Sequence, residues 1–388
     1  MARKFPHVEG RRIETVQLPS ASPGTNRQLD IIHYGTSDQG PKAYLQAALH
    51  ADEIPGLLVI HQLRQMLDKA SQASQISGHI VLAPIANPVG NAQFLLGELA
   101  GRYELGSGTN FNRDYPDLVE QVAQKIAQKL DSDVETNTDL IRDATQQILT
   151  EKKPLEEAAM LKQVLMANSI DADIVLDLHC DFESVMHLYT SSLQWPDASD
   201  LAAYLGAEVV LLAKESGGHP FDESLSNLWW QLADRFPDKQ INNKACLAAT
   251  IELRGKADVE ENQARLDALA LYHFLQARGV IAGKPPQPTK LINDATPLDG
   301  VEKIVAPIAA VVSYHKSPGD RVLPGDVVCT LFDISEYESE KSRIEIAATV
   351  AGVMYSRRCD RLTRPGQILC RIAGKDSIPG KKGPLLEN

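Results

Sequence analysis

An α/β fold is what this chain of 388 residues predicts: a mixed, mostly parallel sheet flanked by helices, followed by a small all-β barrel. Three observations lead there. Apolar runs of strand length alternate with helical periodicity over the first ~280 residues, the pattern of a sheet covered by helices. Two of these runs, Tyr44-Leu45-Gln46-Ala47-Ala48-Leu49 and Ile174-Val175-Leu176-Asp177-Leu178, stop at a histidine. Beyond Gly283-Lys284-Pro285-Pro286-Gln287-Pro288-Thr289, short β runs are separated by glycine and proline.

Bulk properties narrow the function classes. Hydrophobic residues make up 43% of the chain, but no run approaches the ~18 apolar residues of a membrane span, so a soluble protein with no membrane partner is expected. Residues 1–24 hold charges and no apolar core, so no secretory leader is expected. Cys180, Cys246, Cys329, Cys359 and Cys370 are odd in number, scattered and without a CxxC pair, which argues for reduced thiols in a cytoplasm. A net charge of -12 opposes nucleic-acid binding, which depends on neutralising phosphates, and solubility accounts for it.

Taken in order, Leu29-Asp30-Ile31-Ile32-His33-Tyr34 reads as a strand, and the run ending at His50 as a second, buried one. Pro55-Gly56 then turns into a helix carrying Leu57, Leu58, Ile60 and His61, and His79-Ile80-Val81-Leu82-Ala83 is the next strand. A long polar loop to Asp117 holds Arg102 and Asn110-Phe111-Asn112-Arg113, and a loop of that length is usually functional. Residues 117–168 read as surface helices, with Leu118, Val122, Ile126 and Leu130 on one face and Leu140, Ile141 and Ile148 in a second segment. Strands resume at residues 173–181, 185–189, 208–212 and 247–253, with Ser216-Gly217-Gly218-His219-Pro220 as a flexible loop between the last two. A helix over about 260–278 closes the domain, giving a catalytic unit of 1–284 and a linker of 285–298.

The segment 299–373 repeats itself. Ala309-Ala310-Val311-Val312 leads to Val322-Leu323-Pro324-Gly325, as Ala351-Gly352-Val353-Met354 leads to Leu362-Thr363-Arg364-Pro365-Gly366. Two matching halves of short strands predict a small pseudo-symmetric barrel or sandwich. The tail, residues 374–388, is rich in lysine, glycine and proline and is expected to be disordered.

The candidate chemistry is a metal site. A catalytic zinc takes about three protein ligands, and His50, Glu53 and His179 offer two imidazoles and a carboxylate. Taken singly, either histidine is more often an ordinary strand-end residue. Jointly they are stronger, because parallel strands bring their carboxyl ends together, where open α/β sheets bind ligands. Asp177, two residues before His179, could orient that ring, with a plain buried aspartate as the equal alternative. Nothing in the spacing of His33, His61, His79, His187 or His219 demands a place in the site.

These residues resemble a known family. His50-Ala51-Asp52-Glu53, Asn112-Arg113, Asp177-Leu178-His179 and Ile251-Glu252-Leu253 are similar in order and interval to the motifs of the zinc carboxypeptidase-like family, in its succinylglutamate desuccinylase/aspartoacylase branch. The resemblance covers about residues 25–280. It implies one zinc ion per chain on His50, Glu53 and His179, and Glu252 as the base that moves a proton from the attacking water to the leaving nitrogen. It also implies that Asn112 and Arg113 bind a substrate carboxylate, and that Arg102 stabilises the developing oxyanion. Without the resemblance, Glu252 would be one acid at a strand end and Arg102 an exposed loop residue.

The activity so implied is hydrolysis of the amide bond of a small N-acyl amino acid or related amine bearing a carboxylate. A peptide-cleaving zinc carboxypeptidase and a non-catalytic metal-binding or carrier protein are the alternatives. The helical stretch 117–168 looks like an insertion, either a cap on the cleft or a subunit contact, and a homo-oligomer is left open. The C-terminal segment is similar to biotinyl/lipoyl-type barrels, with Lys341 near the modified position, but the Met-Lys-Met signature is missing.

Overall fold

The computed structural model describes residues 7–36, 40–338, 340–380 and Leu385. Its centre is a nine-stranded sheet. From edge to edge the strands are Arg11–Gln17, Gln28–Gly35, His79–Ala83, Lys42–Ala47, Ile174–Asp181, Leu247–Gly255, Met186–Ser191, Val209–Ala213 and Thr296–Pro297. The first three pair antiparallel, as do Leu247–Gly255 and Met186–Ser191; the other neighbours run parallel. Lys42–Ala47, Ile174–Asp181 and Leu247–Gly255 thus lie side by side with their carboxyl ends at one edge. They are apolar because both faces are covered.

One face is covered by the helices Pro55–Gln72 and Glu261–Ala277, which set Val59, Ile60, Leu63 and Leu67 with Leu271, Phe274 and Leu275 against the sheet. Proline at the start of the first helix costs no hydrogen bond, since that N–H has no partner within a helix. The opposite face is covered by Val119–Ile126, Val134–Glu151, Glu157–Ser169 and Phe221–Arg235. This corrects the reading of 117–168 as surface helices: Val122, Ile126, Ile141, Ile148, Leu161 and Leu165 are buried in the core over the sheet. Most of their charges lie on the outer faces, with Glu157 and Lys162 as buried exceptions, so these helices form a structural layer.

Two elements differ from expectation. The strand Arg11–Gln17 was not foreseen, because an edge strand with one covered face carries polar residues at most positions. The helix Phe221–Arg235 begins where Gly217, Gly218 and Pro220 signalled only loop. The expected linker 285–298 ends in structure, with Thr296–Pro297 as the last strand of the central sheet and Leu298 buried.

The C-terminal strands form two antiparallel sheets around a shared core of Ile304, Val312, Val328, Leu331, Met354, Leu369 and Ile372. One runs Val301–Val305, Ile368–Gly374, Gly352–Arg357, Arg321–Val322. The other runs Arg343–Ala347, Val327–Phe332, Ala310–Tyr314, Leu362–Thr363. The repeat explains this order, since each half lends its short strand to the other: Arg321–Val322 pairs with Gly352–Arg357, and Leu362–Thr363 with Ala310–Tyr314. Gly325 and Gly366 occupy equivalent turns with φ of 92° and 78°, where a side chain would be strained.

This β part is fastened to the α/β part. Glu183–Ser184 pairs with Gly352–Arg357, Glu183 accepts from Arg357 Nε (2.5 Å) and Arg361 Nη2 (2.7 Å), and Asp181 accepts from Arg371 Nη1 (2.9 Å). Lys341 is exposed and pairs with Glu338. Of the tail expected to be disordered, residues 374–388, Gly374 ends the last strand, Ser377 Oγ and Ile378 N–H donate to Asp299, and Leu385 packs against the cluster that holds Val301 and Tyr355, while 381–384 and 386–388 lie outside the described residues, as do residues 1–6 at the amino end. No helix among the described residues is long and apolar enough to cross a membrane.

Candidate metal centre

His50, Glu53 and His179 meet at the carboxyl ends of the two central strands. Glu53 Oε1 lies 3.0 Å from His50 Nδ1, and Glu53 Oε2 lies 2.7 Å from His179 Nδ1. One donor atom from each falls within 4.8 Å of the others, and all three side chains are buried. Buried acids and imidazoles gathered this closely need a compensating charge or partner. The positive φ of Ala48, 58°, turns the chain out of its strand just before His50.

Each imidazole is held from behind. His50 Nε2 lies 2.8 Å from Asn110 Oδ1, and that oxygen also accepts from the Asn112 N–H (2.9 Å), which fixes the amide's orientation. His179 Nε2 lies 2.9 Å from Asp177 Oδ2, which matches one of the two readings left open for Asp177. A ring that donates through Nε2 presents the Nδ1 lone pair, so both rings aim a donor at Glu53. Two imidazole nitrogens and a carboxylate are the ligand set of a catalytic zinc, so these residues fit that ion.

The electrostatics agree. Burial works to raise Glu53, but His50 and His179 outweigh it and hold its carboxyl well below the ordinary range. Burial, helped by Arg102, pushes His50 down to about 4, whereas at His179 the charges of Asp177 and Glu53 overcome burial and raise it. Arg102 Nη1 donates to Glu53 Oε1 at 3.0 Å and sits 3.3 Å from His50 Nδ1. A guanidinium is thus drawn to the donor set. A carboxylate has about four lone-pair sites, so Glu53 can keep this hydrogen bond and still offer a lone pair to a metal ion.

Gly101 makes this placement work. A Cβ there would lie 2.4 Å from Asp52 N, and the Gly101 carbonyl accepts from Ala51 N–H (3.0 Å). The polar loop is therefore laid directly on the His50–Glu53 turn.

Glu252 pairs in register with His179 across neighbouring parallel strands, so both side chains leave the sheet on the same side. The register shifts between Glu252 and Gly255, the kind of irregularity that re-aims side chains beside active sites. Burial, then the charge of Glu53, pushes the Glu252 carboxyl up to about 8, and its Oε2 has no hydrogen-bond partner among the described residues. Asn112 Nδ2 lies 3.4 Å from His179 Nε2 while its Oδ1 accepts from Phe221 N–H (2.8 Å). Arg113 is buried, with Nη1 donating to the Asn112 carbonyl (2.6 Å). One cavity is lined by all the residues singled out: His50, Glu53, Arg102, Asn112, Arg113, His179 and Glu252.

Sequence reasoning missed part of this cavity. It also missed Asn110, which braces His50 from a turn whose shape no local pattern records. Lys303, Tyr355 and Arg371, which reach the cavity from the C-terminal sheets, had no signal, because only the fold brings them near. His187 is buried with Nδ1 2.8 Å from the Val185 carbonyl, and His219 is exposed; neither belongs to the ligand cluster.

The chain and its fold have known relatives. Residues 39–278 match the model of the succinylglutamate desuccinylase/aspartoacylase catalytic domain. Among solved structures, a protein of Shewanella frigidimarina named for that family superposes with a TM-score of 0.83 at 26% identity, over 94% of this chain and 98% of its own. A family protein of Shewanella amazonensis gives 0.81 at 26% identity, over 94% and 99%. A succinylglutamate desuccinylase/aspartoacylase of Rhodobacter sphaeroides shares the fold, with a TM-score of 0.65 at 16% identity over 95% and 97%. No curated protein matches the chain. The chain belongs to the succinylglutamate desuccinylase/aspartoacylase family.

Proposed function

We propose that this family member is a zinc-dependent deacylase that hydrolyses the amide bond of a small N-acyl amino acid. The observation that carries the reading is the convergence of the His50–Glu53–His179 cluster, Glu252 and Arg113 on one cavity. A zinc ion on the three ligands would supply Lewis acidity, polarising the scissile carbonyl and making a nearby water more acidic.

The chain's own groups do the rest. Arg113, with Asn112 beside it, binds a substrate carboxylate through its planar fork and so orients the amide. Glu252 accepts a proton from the attacking water and hands it to the departing nitrogen. Burial and the charge of Glu53 raise this carboxyl, and a cation on the neighbouring ligands would lower it again, toward the range in which one group can both accept and return a proton. Arg102, a guanidinium at the edge of the ligand cluster, donates to the carbonyl oxygen as negative charge builds there. The C-terminal sheets form one wall of the cavity through Tyr355 and Arg371, which fits a small substrate better than a polymer.

The test is acid release by the zinc-loaded enzyme from a panel of N-acyl amino acids and short peptides. Turnover of N-acyl amino acids supports the reading. Turnover confined to peptides, at their free carboxyl ends, would instead make the protein a carboxypeptidase.

A further inference from the structure

Glu157 and Lys162 are the charged residues that the helix Glu157–Ser169 buries, and the proposed chemistry uses neither. Glu157 accepts from Arg27 Nη1 at 2.8 Å, an ordinary ion pair. Lys162 is 8% exposed, and its partners are of another kind. Its Nζ donates to the Arg113 carbonyl at 2.6 Å, reaches the Asn110 carbonyl at 3.5 Å, and lies 5.5 Å from the centre of the Tyr115 ring, within range of a cation–π contact. Taking an ammonium out of water is costly, and burial pulls Lys162 below its ordinary range although the charges of Asp114 and Glu104 oppose it. That cost is offset by bonds to a single turn, so the turn is where Lys162 acts.

That turn, residues 110–113, carries three of the side chains at the cavity. Asn110 braces His50, Asn112 lies beside His179, and Arg113 lines the cavity. Its internal bonds are local: Arg113 N–H donates to the Asn110 carbonyl (3.3 Å), and Arg113 Nη1 to the Asn112 carbonyl (2.6 Å). Immediately after it Asp114 has a φ of 56°, and the N–H groups of Asp114 and Tyr115 donate to the carbonyls of Gly218 (2.9 Å) and His219 (3.0 Å). Those bonds secure the residues that follow. Lys162 secures the carbonyl of Arg113 itself, from the helical layer on the other side.

We propose that Lys162 is a positioning residue for substrate binding: it fixes the turn 110–113 from the helical layer, and through that turn the direction in which the Arg113 guanidinium enters the cavity. This rests on the reading of Arg113 as the carboxylate anchor of a deacylase, and adds the residue that holds the anchor. Lys162 touches no reacting atom; its effect on the reaction passes through Arg113.

The test compares the zinc-loaded full chain with Lys162→Met, which keeps the length and loses the donor, on the N-acyl amino acid of the panel that is turned over fastest. KM should rise by about fivefold or more, the scale of a buried carbonyl left without its donor, with kcat and zinc content little changed. A smaller folded fraction alone would lower kcat and leave KM as it was, and that result overturns the proposal. In an Arg113→Ala background the same substitution should add almost nothing, because residues acting through one another are not additive; an undiminished effect there also overturns it. Lys162→Arg, which keeps a cationic donor, should recover part of the KM, and Lys162→Gln replaces the methionine variant if that one does not fold. Hydrogen exchange followed by mass spectrometry reads the turn without turnover, and faster exchange confined to peptides covering residues 110–115 is expected. If that is found while no N-acyl compound is hydrolysed, the positioning role stands and the deacylase reading falls; unchanged exchange there, or an equal rise throughout the chain, overturns the role.

Discussion

The metal side of the cavity and its substrate side are built differently. The ligands and base stand at the ends of central strands, or on the turn just after one, and His50 and His179 are each braced by a further side chain, Asn110 or Asp177. The facing wall is assembled from segments far apart in the chain: the loop carrying Arg102 and Arg113, the start of Phe221–Arg235, and the C-terminal sheets with Lys303, Tyr355 and Arg371. Strand ends in a covered sheet hold positions closely, whereas loops and appended sheets can vary without disturbing the core. On the proposed function, the first side holds the metal ligands and the base, and the second, Arg102 apart, the groups that select the substrate.

That contrast can be broken at graded points. Glu252→Gln removes the base while keeping shape and should lower kcat by about 10³-fold or more with metal content unchanged, within the range of acid–base contributions. Retained turnover would move the base elsewhere. Asn110→Ala frees the His50 ring and should weaken metal affinity by about 10–100-fold, read by competition with a chelator. Arg113→Ala should raise KM for carboxylate substrates by about tenfold or more, with a smaller change in kcat; an unchanged KM would remove its anchoring role.

The smallest expected effect lies at the seam between the two parts. Burial tends to raise Glu183, but hydrogen bonds and charges from Arg357 and Arg361 outweigh it and hold the carboxyl below its ordinary 4.5. A depressed carboxyl contributes stability that is complete above that ordinary value and is lost as the pH falls through the lowered one. The pair is partly exposed, so its worth is about 1 kcal/mol or less. Glu183→Gln should lower Tm slightly at pH 7, by an amount that shrinks as the pH falls below 4.5, as thermal melts across that range would show.

The same contrast explains what the sequence disclosed. His50, Glu53 and His179 were legible because each closely follows or ends an apolar run, and buried parallel strands leave that mark, whereas Glu252 stood out only through the family resemblance. The repeat around Gly325 and Gly366 was legible because two equivalent turns demand the same residues. Arg11–Gln17 was hidden by its exposed face, and Phe221–Arg235 by the glycines and proline before it. The helices of 117–168 were visible as helices, but their charged outer faces concealed that their apolar faces complete the core. Arg371 and Lys303 could not be placed at all, since no local pattern records a contact made across nearly the whole chain.

The central claim is that His50, Glu53 and His179 together hold one metal ion on which hydrolysis depends. Elemental analysis of the purified protein and of His179→Ala, each checked for intact fold by circular dichroism, tests it most directly. The account predicts about one zinc per chain in the first and almost none in the second, with N-acyl amino acid hydrolysis lost in parallel. Zinc retained in full by a folded His179→Ala protein would contradict it.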